Sequence, residues 1–189
     1  QARGKFEERW RVSLPAKAGL TTLEIMEQIK KGKIKGMYIV GENPVLSFPN
    51  SRFITEILTS LDFLVVQDMF LTETAKLANV VLPAASFAEK DGTFTNFEGR
   101  VQMVQKAIAP LGESLPDWEI ILRLANKMGA PMPYSFPQQV MDDIVGCCQL
   151  PAYISYEGGG YVGSEAKGLY RTESSNYRGV SRIHGGQFP

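Results

Sequence analysis

Histidine is nearly missing from this sequence of 189 residues, where His184 is the only one. Cysteine is almost as scarce, and the two that occur, Cys147 and Cys148, are adjacent. A Ser–His–Asp triad or a histidine-based metal site would therefore rest on a single residue. Neighbouring cysteines build neither a disulfide framework nor a CxxC zinc site, and they read as small residues at a helix end. An excess of charge is absent too: twenty Lys+Arg balance twenty Asp+Glu, for a formal net charge of zero. Nucleic-acid binders normally carry a basic surplus, so the balance argues against that class. No apolar run approaches the roughly 18 residues a membrane-spanning helix needs, and no direct membrane insertion is expected. Neither G-x-G-x-x-G after a strand nor a phosphate loop ending in Gly-Lys-Ser/Thr is found, which argues against NAD bound to this segment and against an ATPase.

What remains is an ordinary globular composition, 44% hydrophobic and 21% charged, in a length that suits one larger-than-average domain. The opening Gln1-Ala2-Arg3-Gly4 has no methionine and no signal-like region, and reads as the middle of a longer chain. Residues 1–18 are assigned to a linker and 19–148 to the main domain. Residues 149–189 form a loop-rich extension, and its stretch 151–189 holds eight of the 18 glycines and five of the seven tyrosines.

Between the ends, helix and strand patterns alternate. Thr21-Thr22-Leu23-Glu24 has the form of a capping box, in which the hydroxyl covers a free N–H and Glu24 reaches back. Ile25, Met26 and Ile29 follow at helical spacing, and Gly32 ends the helix. Met37-Tyr38-Ile39-Val40 is a short strand feeding the loop Gly41-Glu42-Asn43-Pro44. Asn50 can cap a helix that presents Phe53, Ile54, Ile57 and Leu58 on one face. Phe63-Leu64-Val65-Val66 is a second strand breaking at Gln67-Asp68. Thr72 to Ala78 is a short helix, and Asn79-Val80-Val81-Leu82 a third strand closed by Pro83. Asp117 is expected to cap a helix ended by Gly129, and Ser135 to begin another.

Strands apolar on both faces and separated by helices specify an α/β fold. The expected fold is an open, mostly parallel, doubly wound (Rossmann-like) sheet with helices on both faces and an irregular Gly/Tyr-rich C-terminal extension. In such sheets ligands lie beyond the carboxyl ends of the strands. The candidates there are Gly41, Asn43 and Ser47 after the first strand, and Gln67, Asp68 and Thr72 after the second. Pro83-Ala84-Ala85-Ser86 follows the third strand, and Asp117 stands at a helix N-terminus. The set suits a nucleotide. One carboxylate accepts guanine N1–H and the 2-amino group together, short polar residues suit ribose, and loop N–H groups suit phosphate. Singly, each residue is better explained as a turn, cap or solvated position; only their common sheet edge raises the ligand reading. The polar stretch from Glu89 to Gln102 reads most simply as a hairpin with Glu98, Arg100 and Gln102 on one face.

Several quoted segments resemble the molybdopterin oxidoreductase family, with the formate dehydrogenase alpha (catalytic) subunits as the closest likeness. They are Gly41-Glu42-Asn43-Pro44; Val65-Val66-Gln67-Asp68 with Phe70, Thr72 and Thr74-Ala75; Ala78-Asn79-Val80-Val81-Leu82-Pro83; Glu89 and Asp91-Gly92-Thr93-Phe94-Thr95-Asn96 through Glu98-Gly99-Arg100-Val101-Gln102; and Asp117-Trp118. The likeness runs from about Gly19 to about Met141 and is least in the tail. It implies a domain that holds the guanosine end of a molybdopterin guanine dinucleotide, within a longer chain carrying molybdenum or tungsten. By the same resemblance, Asn43 and Ser47 meet the ribose–phosphate end, Gln67 and Asp68 lie against the nucleoside, Asp117 accepts from guanine, and Thr72 is a further candidate. Ala84 departs from the pattern, standing where the family often has a serine.

The family's cysteines for a 4Fe–4S cluster, its Cys or selenocysteine metal ligand and its catalytic His and Arg precede this region. No catalytic residue or metal ligand is therefore assigned here. The implied reaction is formate oxidation to carbon dioxide by the whole protein, with the isolated segment inactive. The implied partners are the remaining domains of the same chain and iron–sulfur or NAD-linked electron-transfer subunits, in the cytoplasm. The alternatives are another molybdopterin oxidoreductase, such as a nitrate reductase, or a structural large iron–sulfur subunit of NADH dehydrogenase without the pterin.

Overall fold

The computed structural model describes residues 2–95 and 101–148. In chain order the elements are α1 (Ala2–Trp10), α2 (Thr22–Lys30), β1 (Gly36–Val40), α3 (Pro44–Ser47), α4 (Ser51–Thr59), β2 (Phe63–Asp68), β3 (Val80–Pro83), β4 (Gly92–Thr95), β5 (Val101–Val104), α5 (Asp117–Lys127) and α6 (Pro137–Cys148). One-turn 3-10 helices at Ala75–Leu77 and Phe87–Glu89 join them. The extension 149–189 with His184, and Glu98 and Arg100 of the polar stretch, lie outside the described residues.

The packing divides the described residues into two units: one contains residues 2–14, 91–95, 101–105 and 133–148, the other residues 15–90 and 106–132. In the first, α1 and α6 are tied through Asp143, whose carboxylate accepts from Arg9 Nε at 2.6 Å and from the Tyr134 hydroxyl at 2.8 Å. The expected hairpin forms there, β4 pairing antiparallel with β5 from Gly92↔Val104 to Thr95↔Val101. Cys147 is buried in this unit. Helix α6 begins at Pro137 rather than at Ser135, whose N–H is instead taken by the Gln139 side chain at 2.6 Å.

The second unit is the α/β domain. Its sheet has the order β1-β2-β3, all parallel. The Thr21 capping box starts α2, with Thr21 N–H donating to Glu24 Oε2 at 2.7 Å. Asn50 caps α4 by accepting from Phe53 N–H at 3.2 Å, and does so from a left-handed backbone (φ 63°), a region Asn tolerates better than most side chains.

Side chains alternate along a strand, and aligned residues of a parallel ladder share a face. Met37, Ile39, Leu64 and Val66 therefore point one way. Ile39, Leu64 and Val66 are buried in a single core with Met26 and Ile29 of α2 and Ile54, Ile57 and Leu58 of α4. Tyr38, Val40, Val65, Gln67 and Leu82 point the other way. This second face meets α5 through Asp117, while Val40 and Phe63 on it are exposed.

The third expected helix is shorter than its pattern suggests. From Thr72 to Ala78 only the turn Ala75–Leu77 forms, because Thr72 Oγ1 accepts the Ala75 N–H at 3.1 Å and the chain turns at once into β3. Strand β2 runs two residues beyond Val66, taking in Gln67 and Asp68.

Candidate functional site

The carboxyl ends of β1, β2 and β3 are joined by backbone bonds that continue the ladder past the strands. Gly41 N–H donates to Gln67 O at 2.9 Å and Ala84 N–H to Asp68 O at 3.0 Å. Leu115 then lies alongside β3, donating to Pro83 O at 3.1 Å and accepting from Ala85 N–H at 2.8 Å. Two residues later the chain enters α5 at Asp117. The ladder thus carries a residue fifty positions from Gln67 back to it: Gln67 Nε2 donates to Asp117 Oδ1 at 2.7 Å.

Gln67 is completely buried. A solvated strand end, its commonest lot, would not be. Its amide is satisfied at both ends, the oxygen accepting from the Tyr38 hydroxyl and the nitrogen donating to Asp117. The other Asp117 oxygen, Oδ2, is ion-paired with Lys90 Nζ. Lys90 is set in place by the turn Phe87–Glu89. That turn is held by Ser86 N–H on Glu89 Oε2 at 2.7 Å, and by Ala88 O accepting from Ala107 at 2.8 Å and Ile108 at 3.1 Å. The result is a chain Tyr38–Gln67–Asp117–Lys90. Sequence reading found the middle pair and missed both ends. Tyr38 looks like any strand residue and Lys90 like part of a polar hairpin; no local signal marks either.

Asp117 does not cap its helix. Pro116 stands at the N-cap position (φ −53°, ψ 141°) and Asp117 is the first helical residue. Its carboxylate is turned to Gln67 and Lys90. Burial pushes its pKa upward, but hydrogen bonds from Lys90 and Gln67 outweigh this, and it lies below its ordinary 3.8. The group is ionised throughout the neutral range. Burial, and secondarily the Asp117 charge, raise the Tyr38 phenol, which remains a neutral donor.

The remaining candidates lie in the loops and element ends around this chain. Asn43 brackets two of them: its Oδ1 accepts from Thr74 N–H at 3.2 Å and Thr74 Oγ1 at 2.7 Å, and its Nδ2 donates to Glu73 Oε2 at 2.9 Å. The buried Thr74 hydroxyl in turn accepts from Val45 N–H at 3.2 Å. Asn43 is thereby committed to shaping the loop after β1. Gly41 has φ +62°, a conformation that strains a residue with a Cβ, and its N–H is used by Gln67. Ser47 donates to Glu42 Oε1 at 2.5 Å.

Asp68 and Gln67, being consecutive in a strand, point to opposite faces, and Asp68 Oδ1 accepts from Phe70 N–H at 3.1 Å in a local turn. Thr72 caps the short turn after it. The structure therefore brings Gln67 and Asp117 into one bonded group. It places Gly41 and Thr72 in loops, Asn43 and Ser47 at the two ends of α3 and Asp68 at the end of β2, all at the same sheet edge. Among the described residues there is no group of three or more His, Cys, Asp or Glu arranged to hold a metal. Nor is any helix among them long and apolar enough to cross a membrane.

Residues 6–127 match the family model described as molybdopterin oxidoreductase. The chain belongs to that family. A Bacillus subtilis (strain 168) protein named for formate dehydrogenase is 46% identical over 157 residues, covering 83% of this chain and 16% of that protein. The F420-dependent formate dehydrogenase subunit alpha of Methanocaldococcus jannaschii is 58% identical over 124 residues, covering 66% of this chain and 18% of that one. The chain thus spans less than a fifth of the length of these curated relatives. Acetylene hydratase from Pelobacter acetylenicus has the same fold over 95% of this chain and 28% of its own, with a TM-score of 0.60 at 21% identity. The α/β fold and the family expected from the motifs therefore both stand.

Proposed function

We propose that this chain is the dinucleotide-binding part of a molybdenum- or tungsten-dependent formate dehydrogenase alpha subunit, and that it holds the guanosine end of a molybdopterin guanine dinucleotide. The observation that carries this reading is the Asp117 carboxylate. It is ionised and half-exposed, and is fixed by a buried glutamine at the sheet edge where α/β folds bind nucleotides. Each carboxylate oxygen has about two acceptor sites. With Gln67 on Oδ1 and Lys90 on Oδ2, Asp117 retains the capacity to take guanine N1–H and the 2-amino group. The donor set fits the guanosine end.

In this reading Asp117 binds the base and Gln67 orients Asp117, while the Asn43–Thr74 bracket and the Gly41 turn hold the first loop beside them. Ser47 would meet the ribose–phosphate end and Asp68 the nucleoside, with Thr72 as a further short polar group beside them. When bound, the metal–pterin supplies the redox chemistry that takes formate to carbon dioxide. The whole protein would include a 4Fe–4S cluster in a preceding region and pass electrons to iron–sulfur or NAD-linked partner subunits in the cytoplasm. Two relatives named for formate dehydrogenase support formate as the substrate.

Acid release of nucleotide from the purified full-length protein tests the reading. GMP accompanied by molybdenum or tungsten is the expected result. CMP would contradict a guanine site, and metal-free protein without nucleotide would favour a structural subunit.

A further inference from the structure

We propose that Lys90 reads the six-position of the base and so determines its identity, a step that rests on the guanosine reading above. Lys90 Nζ sits on Asp117 Oδ2, with the Lys90 side chain 21% exposed and that of Asp117 39% exposed. Both side chains are therefore partly exposed. Gln67, on the other oxygen, is buried and committed to Tyr38 and Asp117. An ammonium has three donors, and Asp117 uses one of them.

An ammonium beside a carboxylate has a definite complement. Guanine presents, in a row, an acceptor (O6) and two donors (N1–H and the 2-amino group). The carboxylate accepts from the two donors and Lys90 donates to O6. Adenine presents a donor at the six-position and an acceptor at N1, so both halves of the pair would meet groups like themselves. Cytosine is wrong in the same sense, with an amine where guanine has its oxygen. Such mismatches leave polar groups unpaired and give strong discrimination. Because Lys90 lies on only one of the two carboxylate oxygens, it also fixes which way round the base enters.

GDP and 6-thio-GDP, in which a weakly accepting sulfur replaces O6, can be titrated into the cofactor-free full-length protein by calorimetry. The wild type is expected to bind GDP roughly tenfold more tightly than the thio analogue, the scale of one charge-assisted hydrogen bond. Lys90→Met is expected to weaken GDP while bringing the ratio close to one. Lys90→Arg, which keeps a charged donor, is expected to restore the preference. If Lys90→Met weakens both nucleotides equally, the lysine is only a counter-ion for Asp117 and the proposal is overturned. If the wild type binds neither nucleotide and Asp117→Ala changes nothing, the guanosine reading itself fails and takes the Lys90 assignment with it.

Discussion

Replacing Asp117 by Ala is expected to weaken GDP binding to the cofactor-free full-length protein by about 100-fold, since two charge-assisted hydrogen bonds of roughly 1.5 kcal/mol each are lost. The isosteric Asp117→Asn keeps the volume of the side chain and changes what it recognises. Its amide keeps one acceptor for N1–H but turns an N–H toward position two of the base. It should reject the 2-amino group of guanine and favour the two-position oxygen of xanthine, so the preference is expected to move from GDP to XDP. Competition between the two nucleotides, measured on wild type and variant, reads this directly. An unchanged preference would show that Asp117 does not face the base.

The pH response follows from the same group. Its folded pKa lies below the ordinary 3.8, so its contribution to the fold is complete above that value and is lost only as pH falls further. The Asp117 part of nucleotide affinity is accordingly flat through the neutral range.

The second large effect belongs to Gln67. Gln67→Leu keeps the volume of the buried side chain but leaves the Tyr38 hydroxyl and Asp117 Oδ1 without their partner. Unsatisfied groups of this kind cost roughly 1–3 kcal/mol each. The two together should open the end of β2 by about 2–4 kcal/mol, partly reduced by solvent at the half-exposed Asp117. Native-state amide exchange at Val65, Val66 and Gln67 is the measurement. A rise of roughly 30- to 1,000-fold corresponds to that energy. Wild-type exchange would show that the network is incidental.

Much of this domain could be read from local patterns, because local chemistry specifies it. A threonine three residues before a glutamate starts α2, and Asn50 starts α4. The apolar runs at Met37–Val40, Phe63–Val66 and Val80–Leu82 each form a strand of the sheet. The site was legible only in part. That Gln67 and Asp117 share an edge follows from the strand-end rule, but that they touch depends on Leu115 running beside β3, a pairing with no sequence signal. Lys90 comes to Asp117 by tertiary folding alone.

Two expectations failed for identifiable reasons. Asp117 was expected as a cap because aspartate favours helix starts, yet the extended Pro116 takes that position and frees the carboxylate for the network. The second strand was expected to break at Gln67, where the apolar run ends, yet β2 continues and buries Gln67 between Tyr38 and Asp117. In both cases a polar side chain near a strand or helix end is held by partners distant in sequence.

The most direct measurement is amide hydrogen exchange on the cofactor-free full-length protein, with and without GDP. If this domain holds the guanosine end, GDP slows exchange in the stretches around Gln67–Thr72 and Ser114–Ile121 and leaves α4 unchanged. Protection confined to other regions, with both of these stretches exchanging as before, would contradict it.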